Sequence, residues 1–168
     1  MRRIFLLVVA SLALAMPGLA QQWTEYRPAS GVFRVEFPGT PTESSKTLPN
    51  GQALQSAGFN PGDGTFLTVV TSPVSPQSAA KPMQELLDIL RDSQLRATNG
   101  MLREEQTVTV GSSTGRRVII DTPAGIEFYT QILPKGDRLY QVTYAAPRGA
   151  EKPQDVKRFL DSFKLLKD

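Results

Sequence analysis

Apolar residues alternate along some stretches of the chain and recur at helical spacing along others, and these two rhythms divide it into strands and helices. Residues 115–146 read "GRRVIIDTPAGIEFYTQILPKGDRLYQVTYAA", three alternating runs joined by two short turns, which predicts an antiparallel meander. Phe33, Val35 and Phe37 share one face of a strict alternation that Pro38-Gly39-Thr40-Pro41 ends. Shorter or weaker strand patterns lie at 23–27, 43–47, 52–59, 65–72 and 101–110. One helix is predicted to open on Pro82, to carry Met83, Leu86, Leu87, Leu90 and Ala97 on one stripe with Ile89 and Leu95 at its margins, and to stop at Asn99-Gly100. A second is predicted over 153–166, with Val156, Phe159, Leu160, Phe163 and Leu166 along its apolar stripe.

The meander carries a register expectation. A four-residue connection over 134–137 sets Leu133 opposite Arg138, Gln131 opposite Tyr140 and Tyr129 opposite Val142, and a two-residue turn there keeps the same faces. A four-residue connection over 122–125 sets Asp121 opposite Ile126. One face then shows Val118–Tyr129–Val142 and Ile120–Glu127–Tyr144, the other Ile119–Phe128–Thr143 and Asp121–Ile126–Ala145. Both faces have apolar centres, whereas a sheet with one wet side alternates cleanly. The expected fold class is therefore α+β: an antiparallel sheet of six to eight strands with helices on both faces, an α/β/α sandwich. The covered centre pushes any site to the polar end of the meander. There Arg116, Gln131 and Tyr140 are expected in one row, with Arg117, Thr130 and Gln141 on the opposite face. Arg116, Arg117, Gln131, Tyr140 and Gln141 make the candidate ligand or partner patch, with the arginines as forked donors. The plainer reading of the same residues is that they mark where helix cover gives way to solvent.

The N-terminus changes the address. Met1-Arg2-Arg3, an apolar run over 4–16 and the small residues of Pro17-Gly18-Leu19-Ala20 have the layout of a secretory signal cleaved after Ala20. Residues 1–20 are read as that signal and 21–168 as a single domain, periplasmic or secreted. The apolar run is shorter than the ~20 residues a spanning helix needs. The sequence has no cysteine, so an exported form relies on packing rather than disulfides.

Charge changes little. The 19 Lys and Arg against 16 Asp and Glu include Arg2 and Arg3, and removing those two leaves near balance. With basic and acidic residues interleaved, a nucleic-acid partner is not expected. The absence of histidine and cysteine excludes Ser–His–Asp and Cys–His nucleophilic chemistry and zinc, haem or iron–sulfur sites built on those ligands. Ser78 and Lys81 have S-x-x-K spacing without its companion motifs. Asn60-Pro61-Gly62-Asp63-Gly64 lacks the acidic positions of a calcium loop and reads as a turn. Glu104, Glu105, Asp121 and Glu127 are the carboxylates from which a hydrolytic pair could be drawn. Trp23 and Tyr26 read as an edge strand packed on the core, or as an exposed docking pair.

"FRVEFPGTP", the mid-chain helix, "GRRVII", "DRLYQVTYAAPRG" and "VKRFLDSFKLL" together resemble small exported bacterial proteins of the PsbP-like type, over roughly residues 23–166. The resemblance implies a fold similar to the photosystem II extrinsic protein PsbP. It brings no single activity, since PsbP-like proteins include photosystem assembly factors and many bacterial proteins of unknown role. The expected function is a non-catalytic envelope protein that binds a partner protein or small ligand or assists assembly, with no cofactor. The alternatives are a carboxylate-based hydrolase and a lipid or envelope-surface binder.

Overall fold

The computed structural model describes residues 22–49 and 51–166, and the expected signal with its cleavage point lies outside them. Strand β1 (Thr24–Tyr26) is followed by β2 (Phe33–Phe37), β3 (Thr42–Thr47), β4 (Ala53–Phe59) and β5 (Phe66–Pro73). A short helix α1 (Pro76–Ala79) leads to α2 (Met83–Thr98). Then come β6 (Met101–Val110), β7 (Ser113–Asp121), β8 (Ile126–Lys135), β9 (Arg138–Pro147), α3 (Pro153–Ser162) and β10 (Lys164–Leu165).

Two antiparallel sheets result, a seven-stranded one in the order β3-β4-β5-β9-β8-β7-β6 and a three-stranded one in the order β1-β2-β10. The chain builds β3 to β5 outward-in, crosses through α1 and α2 to the far edge, and meanders back until β9 closes against β5 along eight residue pairs from Phe66–Ala145 to Pro73–Arg138. The strand patterns thus sit where the alternation predicts. Their division between two sheets is not visible in a local pattern.

The seven-stranded sheet buries apolar residues on both faces. On one face Leu87 of α2 packs with Val118, Ile120, Ile132 and Leu139. On the other, Val69, Val142, Tyr144 and Leu133 pack with Phe33, Val35 and Phe37 of β2 and with Val156, Phe159, Leu160 and Phe163. Phe37, Phe159 and Phe163 are fully buried, each contributing ~2–3 kcal/mol of hydrophobic stabilisation. Cover on this side is shared between α3 and the small sheet, rather than coming from helices alone as the sequence pattern suggests. Met83 and Ile89 of α2, expected on or beside its apolar stripe, are exposed.

α3 is shorter than its apolar stripe predicts. The Ser162 hydroxyl accepts from Glu36 N at 2.9 Å and donates to Phe159 O at 2.8 Å, offering the backbone an alternative to continued helix. Phe163 is extended (φ −64°, ψ 124°), which drops its ring into the core. Lys164 and Leu165 then pair with Arg34 and Phe33, and Leu166 lies 40% exposed. A 3.6-residue rhythm cannot register that the edge of β2 is waiting for a partner.

Two turns set the faces of the meander. Gly136-Asp137 forms a two-residue turn, so Lys135 opposes Arg138, Leu133 opposes Tyr140, Gln131 opposes Val142 and Tyr129 opposes Tyr144. That is a two-residue shift from the expected register, and it leaves the faces unchanged. The other turn is a correction with larger effect. Thr122 N donates to Ile126 O at 3.0 Å and Ile126 N to Thr122 Oγ1 at 3.1 Å, leaving residues 123–125 as a three-residue loop that ends on Gly125 at φ +74°. Asp121 therefore opposes Glu127, not Ile126. A one-residue slip exchanges the two faces of β7 relative to β8. The rows are Ile119–Tyr129–Tyr144 and Arg117–Gln131–Val142 on the α3 side, with Val118–Thr130–Thr143 and Ile120–Phe128–Ala145 on the α2 side. Gly115 permits this approach: a Cβ there would lie 2.0 Å from Ile132 O.

Candidate functional site

The corrected register redistributes the five candidate residues. Arg117, not Arg116, stands beside Gln131, and Arg117 Nη2 donates to Gln131 Oε1 at 2.8 Å. Tyr140 shares their face but opposes Leu133, with its ring packed at 6.0 Å from Phe33 and 5.9 Å from Phe163. Burial pushes its phenol above the ordinary value, and it is a core residue. Arg116 and Gln141 lie on the α2 side, both opposite Ile132. The expected rows Arg116–Gln131–Tyr140 and Arg117–Thr130–Gln141 do not exist.

Arg116 is engaged through both terminal nitrogens. Its guanidinium donates to Asp88 and Glu105 at 2.5 and 2.6 Å and to Gln84 Oε1 at 3.1 Å, and Arg91 joins the same cluster through Asp88, Asp92 and Glu105. These contacts tie α2 to β6 and β7. The hydrogen bond from Arg116 holds the Asp88 carboxyl below its ordinary range.

Arg117 faces a groove between α3 and the strands β6 to β8. Its Nη2 also reaches Asp161 Oδ1 of α3 at 2.8 Å. Burial pushes the Asp161 carboxyl up, but hydrogen bonds from Lys157 and Arg117 outweigh it and keep the group below its ordinary value. The groove comprises two adjoining pockets of about 360 and 430 Å³ that share Arg117 and Leu160 as walls. The first runs past Val108, Val110, Gln131, Phe163 and Lys164, the second past Ile119, Tyr129, Val156, Lys157 and Glu151. Both fall in the size range of small-molecule sites and combine apolar walls with a few polar groups.

Gln131 is 1% exposed. Arg117 is a donor without acceptor capacity, so the glutamine must turn its carbonyl oxygen toward it. That leaves Gln131 Nε2 buried with no hydrogen-bond partner, as is Arg117 Nε. A buried donor left unsatisfied costs ~1–3 kcal/mol.

Comparison with known proteins bears on the fold. No protein-family model matches the sequence, and no curated protein matches it. Among solved structures, the chain is similar to cyanobacterial PsbP (CyanoP) from Synechocystis sp. PCC 6803, with a TM-score of 0.61 at 8% identity, covering 91% of this chain and 99% of that one. The fold is PsbP-like. Two further structures overlap less well: a Bacteroides thetaiotaomicron VPI-5482 protein (TM-score 0.46, 11% identity, covering 86% of this chain and 48% of that one) and a Pseudomonas aeruginosa protein of unknown function (TM-score 0.43, 13% identity, 79% and 87%).

Elsewhere on this PsbP-like sheet, the register brings two of the candidate carboxylates together. Asp121 and Glu127 oppose each other, and Arg103 bridges them at 3.0 and 2.7 Å. Arg103 is the extra residue of a β-bulge between Leu102 and Glu104, and the bulge aims its side chain across two strands. Glu127 is 3% exposed, yet the Arg103 hydrogen bond holds its carboxyl below the ordinary 4.5, aided by Tyr129. Burial and Glu127 push the Tyr129 phenol up to about 12. A general acid needs a raised pKa, and Glu127 has the opposite. Glu105 is spent on Arg91 and Arg116, and Glu104 is exposed.

The remaining candidates have local structural roles. Lys81 is ion-paired to Glu85, and the Ser75 hydroxyl donates to that of Ser78. Asn60 and Asp63 cap the backbone N–H groups of Gly62 and Thr65. Trp23 lies under Arg158 at 5.0 Å, and Tyr26 packs on Phe37 while donating to Glu43 at 2.7 Å. Sequence reasoning missed Asp161, Glu151, Leu160 and Arg103. For Leu160 the stripe of α3 was signal enough to place it inward; for the charged residues no pattern pointed to this groove.

Proposed function

We propose that the protein is a non-catalytic, exported binding protein that holds a small ligand in the groove between α3 and the strands β6 to β8. The observation that carries this reading is Gln131, a groove-lining residue whose carbonyl is committed to Arg117 and whose NH2 group is buried without a partner. Ligand acceptors supply the missing partners. Export rests on the pattern of residues 1–20; among the described residues no helix is long and apolar enough to cross a membrane. In this reading the seven-stranded sheet is a rigid middle layer with α2 on one face and α3 with the small sheet on the other. The carboxylate-hydrolase alternative has less support, because Arg103 neutralises the one close pair and holds Glu127 ionised.

Native mass spectrometry of the protein isolated from the cell envelope tests the reading. A bound small molecule is expected on the unaltered protein and on Arg116→Ala, and is expected to be lost from Arg117→Ala and Leu160→Arg. Retention in all variants, or recovery of no ligand at all, counts against it.

A further inference from the structure

Among the described residues, four buried side-chain polar atoms have no hydrogen-bond partner: Gln94 Oε1, Arg117 Nε, Gln131 Nε2 and Glu151 Oε2. Three of the four belong to walls of the α3 groove. Such atoms are rare in folded proteins and each calls for an explanation. Their convergence on one groove, from β7, β8 and the loop before α3, gives them a common one.

Gln131 lines only the first pocket and Glu151 only the second, while Arg117 lines both. In the 360 Å³ pocket the unpartnered atoms are buried donors, Gln131 Nε2 and Arg117 Nε, with Lys164 and the Arg117-paired Asp161 on the same wall. In the 430 Å³ pocket, which Arg117 also lines, Glu151 Oε2 adds an unpartnered acceptor, with Lys157 on the same wall. Between them Leu160 is a wall of both, and each pocket has its own apolar surface, from Val108 and Phe163 in the first and Ile119 and Val156 in the second. A fatty acid would answer the donors and leave Glu151 unmet, and an apolar amine would do the reverse.

We propose that the groove is built for a short peptide with apolar side chains, its C-terminal carboxylate received by Gln131 and Arg117 and its N-terminal ammonium by Glu151. This deepens the ligand-binding reading above and rests on it. Each apolar side chain occupies one pocket, and the peptide crosses at Leu160. The charge-assisted hydrogen bonds at the two termini fix its direction.

Calorimetric titration of the exported protein with leucyl-leucine, its N-acetyl derivative, its C-terminal amide and free leucine tests the proposal. The unmodified dipeptide is expected to bind tightest, with either blocked form about tenfold or more weaker, as loss of one hydrogen bond to a charged group implies. Glu151→Gln is expected to erase the penalty for N-acetylation and keep that for the amide. Gln131→Leu is expected to do the opposite, and Arg117→Met serves as a second variant at that end. Equal binding of free leucine and the dipeptide overturns the two-pocket ligand, and equal binding of the blocked forms overturns the role of the termini. If no peptide binds while mass spectrometry still recovers a molecule lost from Arg117→Ala, the peptide proposal falls and the ligand-binding reading stands. If neither is seen, both fall.

Discussion

Arg116 and Arg117 are neighbours in sequence and belong to opposite sides of the sheet, and the two sides treat the same side chain differently. On the α2 side Arg116 meets Asp88, Glu105 and Gln84. Its side chain is 12% exposed and bonded through both terminal nitrogens. On the α3 side Arg117 meets Gln131 and Asp161 through one nitrogen, and its Nε remains buried without a partner. The first arrangement is what a chain does to fasten a helix to a sheet. The second leaves donors in reserve, and a fold that holds buried donors in reserve has given up stability there. The difference between the clasp and the proposed site therefore lies in which atoms remain unanswered, not in residue type.

The strongest way to break the contrast is to dislodge α3. Phe159→Ala should cost about 3–5 kcal/mol in chemical denaturation, because Phe159 is fully buried against Phe37 at 5.2 Å. Ligand binding should fall with it. Gly115→Ala strikes both sides at once, since the added methyl meets the Ile132 carbonyl oxygen rather than a movable side chain. A loss of about 3 kcal/mol is expected; an unchanged unfolding midpoint would mean that β7 and β8 pair differently.

The arginines themselves give a smaller and more pointed result. Arg116→Ala should lower stability by about 1 kcal/mol and leave binding unchanged. Arg117→Met should change stability less, because it also removes an unsatisfied atom, and should weaken binding about tenfold or more. Equal stability losses from the two variants would erase the distinction. The smallest effect concerns pH. Glu127 has its folded pKa below the ordinary 4.5, so its contribution is fully present above pH 4.5 and is lost as pH falls through the lower folded value. The urea midpoint should decline below pH 4.5, and Glu127→Gln should flatten that part of the profile.

Much of the fold was legible because alternation and helical spacing are local. Phe33-Val35-Phe37, the meander and α2 follow from the pattern alone. The site was only half legible. Arg117 and Gln131 stood out as polar residues in an apolar meander, but their pairing hung on one residue in the turn after Asp121. Thr122 closes that turn through its own hydroxyl and Gly125 takes the left-handed conformation, which a count of turn residues does not distinguish from a longer loop. Arg103 was illegible for a related reason: a bulge has no alternation to betray it. Glu151 and Asp161 come to the groove through α3's docking, a tertiary fact with no sequence rhythm.

The pairing of β10 with β2 has a kinetic consequence. Phe33 to Phe37 cannot complete their sheet, or meet Phe159 and Phe163, until the chain has been produced past residue 165. A polypeptide emerging N-terminus first therefore carries an apolar segment that pairs early with β1 and finds the last of its partners only at the end. Closure of the small sheet thus waits on a pairing of high sequence separation, the slowest kind of contact to form.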